Sequence, residues 1–170
     1  MFVETRNGAR NDDCHRLHTR RLSLIAQTVE QVRAQVAALT ADQRAHLSAD
    51  WLALLNDEAP DVWTLGFTVV DGTTGTIVGS CGFKGPPTAD RAVEIAYGTA
   101  PEHQGHGYAT EAAGAVVDYA FETPLVSVVR AHTFSASNAS ARVLTKCGFR
   151  LVDTIDDPED GRVWRWEKQR

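Results

Sequence analysis

The stretch Val93-Glu94-Ile95-Ala96-Tyr97-Gly98-Thr99-Ala100-Pro101-Glu102-His103-Gln104-Gly105-His106-Gly107-Tyr108-Ala109-Thr110 decides the fold. Up to Thr99 it is rich in β-formers, and Ala100-Pro101 ends the run, so a strand is predicted over Val93–Thr99. Gln104 to Ala109 then makes a glycine-bearing loop. A helix follows near Thr110–Phe121, with Ala112, Ala113, Val116, Val117 and Ala120 inward. The first amides of a helix have no intrahelical partner, and the helix dipole adds positive potential beside them. Gly105 and Gly107 let a phosphate approach the backbone closely, and Thr110 adds a hydroxyl. On spacing alone the loop is either an anion cradle or an ordinary tight strand-to-helix connection. It lacks the Gly-Lys-Ser/Thr ending of a Walker A motif, and it does not fit Gly-x-Gly-x-x-Gly.

Upstream, Trp63–Val70 reads as a strand ending at Asp71-Gly72, with Gly75 after it, a hairpin signal. Thr76–Phe83 runs back, and Lys84-Gly85-Pro86-Pro87 cannot continue a sheet interior. Earlier still, Arg21–Ile25 alternates as a short strand. Val29, Val32, Val36 and Leu39 follow helical spacing. Thr40 or Asp42 caps a second helix carrying Leu47, Trp51, Leu54 and Leu55, which Pro60 stops. Downstream, Pro124 ends the loop helix, and Leu125–Thr133 forms a strand. A helix over Ser137–Cys147 closes with Gly148 left-handed and Phe149 folding back. Phe149–Ile155 and Val163–Glu167 are strands around the turn Asp157–Gly161. The order β-α-α-β-β-β-α-β-α-β-β predicts a mixed α/β sheet in one domain, residues 19–170, behind a polar, unpatterned arm, residues 1–18.

The 170 residues suit one domain, and 43% hydrophobic with 23% charged residues excludes disorder or a fibrous repeat for the whole chain. No uncharged apolar run approaches the roughly 18 residues that span a bilayer. Met1–Arg21 has no apolar h-region, so no secretory signal is expected and no membrane partner. Seventeen Lys and Arg against 22 Asp and Glu give a formal charge of −5, which argues against a nucleic-acid partner. Cys14, Cys81 and Cys147 are widely spaced and form no Cys-x-x-Cys pair, in keeping with a reducing, cytoplasmic setting. His15 and His18 lack a third ligand, and no metal is expected.

Gln104-Gly105-His106-Gly107-Tyr108-Ala109 fits the Gln/Arg-x-x-Gly-x-Gly/Ala signature of the GCN-five-related N-acetyltransferase (GNAT) superfamily. Asn138-Ala139-Ser140-Ala141-Arg142-Val143-Leu144-Thr145-Lys146-Cys147-Gly148-Phe149 resembles the Asn-x-Ser-x-Arg-Val-Leu-x-Lys-x-Gly-Phe stretch of its RimJ/RimL-like branch, which includes acetyltransferases of ribosomal-protein N-termini. Gly82-Phe83-Lys84-Gly85-Pro86-Pro87 before a Val-Glu-Ile strand is similar to that branch as well. Together these cover residues 20 to 167. The resemblance implies a GNAT-like fold, acetyl-CoA as cosubstrate and an amine acceptor. It gives Gln104, Gly105, His106, Gly107, Tyr108, Ala109 and Thr110 to the coenzyme diphosphate. Tyr97, Gly98 and Thr99, where the strand splays from its neighbour, fall to the pantetheine arm, as does Asn138. Homodimers are frequent in the family, and no interface is legible here.

The implied reaction is direct acetyl transfer to an amine, with a base to take the ammonium proton. Glu94 matches the glutamate that serves as base in several members. Burial among Val93, Ile95 and Phe83 is expected to raise its pKa; contact with the amine or with solvent are its other readings. Where many members carry a tyrosine acid, this chain has Leu144. Ser140 matches the serine that the branch carries instead, and either hydrogen-bonds the leaving thiolate or solvates a helix start. Trp51, Trp63 and Phe83 either line the acceptor cleft or fill core. An acidic chain steers cationic acceptors, which covers peptide N-termini, aminoglycosides and polyamines alike. Arg130 and His132 face either core or cleft. The lost tyrosine keeps open a catalytically silent acyl-CoA-binding module, and another acyl-CoA donor is the third reading.

Overall fold

A hairpin at Asp71 organises the first half of the chain: its amide donates to Thr76, Gly75 donates back, and Gly75 sits at φ +72°. The structure is a computed structural model describing residues 15–45, 47–57, 59–135, 138–157 and 161–170. Cys14 and the greater part of the expected arm lie outside these residues, as does Ser137. Eight strands form one sheet: β1 (Arg16–His18), β2 (Leu22–Ala26), β3 (Phe67–Asp71), β4 (Ile77–Phe83), β5 (Ala92–Thr99), β6 (Val128–Phe134), β7 (Arg150–Asp157) and β8 (Gly161–Gln169). Their order is β1-β2-β3-β4-β5-β6-β8-β7, and all neighbours are antiparallel except β5 and β6. A parallel pair needs a crossover, and α5 (Tyr108–Glu122) supplies it.

α5 is apolar enough to be the centre of the core. Ala113, Val116, Val117 and Ala120 are fully buried, and the helix lies across β2, β4 and β5. Its small residues let it sit close to the sheet. α6 (Ala139–Lys146) packs beside it against β6. The end of α6 is as the sequence predicts. Phe149 N–H donates to Leu144 at 3.0 Å and Gly148 N–H to Thr145 at 3.1 Å, with Gly148 left-handed at φ +83° and Phe149 buried.

The N-terminal helices differ from expectation, and the caps say why. α1 (Val29–Ala38) begins in a capping box of Thr28 and Gln31, and α2 (Ala41–Ala45) in a second one, Thr40 with Gln43. The single helix expected from Thr40 to Pro60 breaks because Ser48 is another cap, accepting from Trp51 N–H and starting α3 (Ala49–Leu55). Trp63, read as the start of a strand, lies instead in α4 (Val62–Leu65), capped by Asp61 and stopped by Gly66 at φ +67°. A Cβ on Gly66 would stand 2.8 Å from the Cys81 carbonyl, so β4 and this turn meet backbone to backbone. Arg16–His18, read as arm, pair with β2 as an edge strand. His15 and His18 therefore share no helix face.

Candidate functional site

β5 and β6 are hydrogen-bonded neighbours only from Ala92 to Glu94. Beyond that point β5 stays with β4 out to Thr99, while β6 stays with β8 out to Phe134. The sheet splits. Among the described residues, no strand covers the β6-facing edge of Ile95–Thr99. A cleft of about 510 Å³ opens there, lined by Tyr97, Gly98 and Thr99, loop residues His103–Gly105 and Gly107–Thr110, and α6. Tyr97 bridges the split: its hydroxyl donates to the Ser140 carbonyl at 3.3 Å, and burial, chiefly, pushes its pKa up to about 12.

The loop presents backbone rather than side chains. Gly105 and Gly107 adopt φ +81° and +80°, and Gly107 is the N-cap of α5 with no side-chain cap. The first amides of α5, at Tyr108, Ala109 and Thr110, thus have neither an intrahelical partner nor a capping side chain. Gln104 Nε2 donates to the Thr99 carbonyl and ties loop to strand. Two cations, Arg142 and Lys146, stand on the α6 wall. Open amides, left-handed glycines and flanking cations fit a diphosphate. Of the residues assigned by resemblance, the cleft gathers Tyr97, Gly98, Thr99, Gln104, Gly105, Gly107, Tyr108, Ala109, Thr110 and Ser140 on its lining, but neither His106 nor Asn138. The His106 ring stacks on Tyr108. Asn138 caps α6, accepting from Ala141 N–H at 2.9 Å, which frees Ser140 from capping.

Behind the loop is a clamp that the sequence reading missed. Glu111 accepts from the Thr19 hydroxyl at 2.6 Å, the Arg21 amide at 2.8 Å and Arg21 Nε at 2.7 Å. Arg21 Nη1 then donates to the His106 carbonyl at 3.0 Å, its guanidinium lying over the Tyr108 ring. Tyr108 donates to Asp71 at 2.8 Å. Hydrogen bonds from Thr74, Tyr108 and Thr73 hold Asp71 at a pKa of about 2. The one local signal was an acidic residue in the first turn of the loop helix; its partner is ninety residues away.

Glu94 points to the face opposite α5, because Val93 and Ile95 are the buried members of the alternation. Its Oε1 makes ion-pair contacts with Lys84 Nζ at 2.8 Å and His132 Nδ1 at 2.9 Å. Burial is the strongest single influence and raises the carboxyl, but His132 and Lys84 together outweigh it, and the net shift is downward. The expected upward shift is therefore corrected. His132 faces this cluster, with its Nε2 buried and lacking a hydrogen-bond partner. Arg130 binds Asp90 and Glu167 on the same face. Leu144 is fully buried. Burial pushes the Cys81 thiol up to about 12 and raises Cys147 as well, so neither is poised as a nucleophile.

A second cavity of about 560 Å³ reaches Tyr97 and Gly98 from the other side of β5. α1 gives it Val32 and Val36, α3 gives Trp51, and β4 gives Phe83. Trp63 instead packs against Phe83 in a tilted pair, ring centroids 4.5 Å apart, and contacts Tyr119. Lys84, just after β4, is also on the cavity wall. Among the described residues lining it, none is Asp or Glu.

The sequence matches the acetyltransferase (GNAT) domain family over residues 9–150. An uncharacterized N-acetyltransferase of Bacillus subtilis, YoaA, is 36% identical over 77 residues, 45% of this chain and 44% of that protein. The chain spans between 44% and 64% of the length of the curated relatives it matches. Mycobacterium smegmatis RimJ, solved with CoA-disulfide, superposes with a TM-score of 0.63 at 19% identity, over 87% of this chain and 81% of that one. The spermidine N-acetyltransferase of Vibrio cholerae, solved with CoA and spermine, gives 0.61 at 16% identity, over 89% and 96%. These two share the fold. No described helix is long and apolar enough to cross a membrane.

Proposed function

The chain belongs to the GNAT acetyltransferase family, and from that premise we propose that it is an acetyl-CoA-dependent N-acetyltransferase of the RimJ/RimL-like kind, moving an acetyl group to a primary amine. One observation carries the reading: two cavities, one built for a diphosphate and one for an organic body, meet at Tyr97–Gly98 where the sheet splits. Acetyl-CoA supplies the acetyl group as a thioester. The amides of Gly105 to Thr110, with Arg142 and Lys146, hold its phosphates. The uncovered edge of β5 at Tyr97–Thr99 pairs with the pantetheine arm, while Asn138 serves as the cap of α6 rather than as part of the cleft lining.

In the transfer a nitrogen–carbon bond forms, the carbon–sulfur bond breaks, and the amine proton leaves. Glu94 is the base. Its lowered pKa keeps it charged at neutral pH and makes it a weak acceptor, so it takes the proton through water and shares it with His132. Glu94 lies four residues along the strand from Gly98, about 13 Å at strand rise, too far for one water, so a chain of waters relays the proton. Ser140 and Tyr97 offer hydroxyls to the departing thiolate in place of a residue at Leu144.

The test is thiol release from acetyl-CoA with a panel of amines, beside calorimetric coenzyme binding. Amine-stimulated release is expected. Coenzyme binding without it would make the chain a silent acyl-CoA-binding module.

A further inference from the structure

We propose that the acceptor is a primary amine carried on an uncharged, apolar body, and that polycationic amines are poor substrates. This rests on the acetyltransferase reading and concerns the second cavity of the same site. The amine must arrive at Tyr97–Gly98, and the rest of the molecule must then lie between α1, α3 and β4. What it meets there are Val32, Val36, Leu39, Leu47, Trp51 and Phe83. The polar groups among the other lining residues are neutral (glutamine, serine and threonine), and the described charge on the wall is the cation Lys84. The carboxylate nearest along β5, Glu94, is already engaged by Lys84 and His132.

The consequence follows from charge and desolvation. An amine that reacts gives up its proton, so its positive charge needs no permanent partner. Every further ammonium of a polyamine or aminoglycoside keeps its charge throughout. In this cavity it would be desolvated against methyl groups and rings, with no carboxylate on the described wall, where Lys84 is itself paired with Glu94. The chain's −5 charge still steers cations toward the protein, but the pocket selects by what it can desolvate. A cavity of about 560 Å³ is in the range of small-ligand sites. The shared chemistry, an amine next to an apolar group, comes from two sources: a free arylalkyl amine, or a peptide whose first residue is apolar.

The experiment measures kcat/KM by thiol release for tryptamine, a tripeptide beginning with leucine, spermidine and kanamycin, using the full chain. The better of the first two is expected to exceed spermidine and kanamycin by roughly 100-fold or more, and which of the two leads identifies the source. Gln35 is exposed on α1 and lines the cavity, so Gln35→Glu adds a carboxylate there without disturbing the core. It should raise the spermidine-to-tryptamine ratio about 5- to 10-fold. Spermidine or kanamycin matching the apolar amines, or a ratio unmoved by Gln35→Glu, overturns the inference while leaving the acetyltransferase reading intact. Absence of coenzyme binding by calorimetry removes that reading, and this inference with it.

Discussion

The two cavities that meet at Tyr97–Gly98 are made of different material. The proposed coenzyme side is largely backbone: left-handed glycines, the start of α5 and a strand edge that the parallel pairing abandons after Glu94. The acceptor side is side chains, delivered by short helices that each need a cap of their own. Backbone sites tolerate change in the residues around them but not in the geometry itself. Side-chain sites behave the other way round. Substitutions on the two sides should therefore fail in different ways.

The largest effect is expected where geometry is everything. Gly107→Val forces a β-branched residue to φ +80°, at a cost on the order of 1–3 kcal/mol, and sets its Cβ 3.4 Å from Arg21 Nη2. The strain falls on the amides proposed to hold the phosphates. Coenzyme affinity should drop roughly 100-fold or more with a melting point lowered only a few degrees; unchanged affinity by calorimetry would move the cradle elsewhere.

Glu94→Gln tests the junction between the two sides. Turnover should fall roughly 10-fold or more with coenzyme affinity nearly intact, since the side chain lies outside the coenzyme cleft. The pH dependence has a definite sign. The folded-state pKa of Glu94 lies below its unfolded value, so the ionised group stabilises the fold above the ordinary carboxylate range. That contribution is lost as pH falls through the lowered value. A loss of kcat beginning above the ordinary carboxylate range therefore belongs to a group other than Glu94, and Glu94→Gln should leave such a limb in place. If the limb disappears in the variant, the lowered pKa is wrong.

The same contrast explains what was legible in the sequence. The left-handed glycines of the loop and the Schellman stop at Gly148-Phe149 are spelled at fixed positions, so both turns could be read locally, while the loop's proposed role came from the resemblance alone. The succession of β2 to β8 along the chain followed from hairpin and crossover signals, whereas the insertion of β8 between β6 and β7 in the sheet did not. β1 could not be read, because three residues at a sheet edge have too little periodicity to show. The breaks at Ser48 and Asp61 were cap residues hidden inside an apolar pattern that a longer helix or strand fits equally well. Glu94 was picked out as a candidate, but the direction of its pKa shift was misjudged. Its partners come from the end of β4 and from β6, and only the folded sheet brings them to it.

Arg21 sharpens the comparison because it is a side chain serving the backbone side. Arg21→Gln removes the bond to the His106 carbonyl and the ion pair to Glu111. The pair is partly exposed, so its effect on stability should be small. If the clamp sets the loop, acetyl-CoA affinity should fall roughly tenfold, while S-acetylpantetheine, which has no diphosphate, should bind as before. Equal losses for both thioesters would make Arg21 a support for the fold alone.

Ser140→Ala should have the smallest effect and is the cleanest of the four to interpret. Asn138 holds the cap of α6, so removing the Ser140 hydroxyl leaves the helix start intact, and the described partner of Tyr97 is the Ser140 carbonyl, which alanine keeps. What the variant loses is one hydroxyl at the cleft. A neutral hydrogen bond to the leaving thiolate is worth about 1 kcal/mol, so kcat should fall about fivefold with KM for acetyl-CoA unchanged. An unchanged kcat would pass the thiolate contact to Tyr97. In that case Tyr97→Phe should lower kcat more than it lowers coenzyme affinity, because its hydroxyl closes the split over the same atoms.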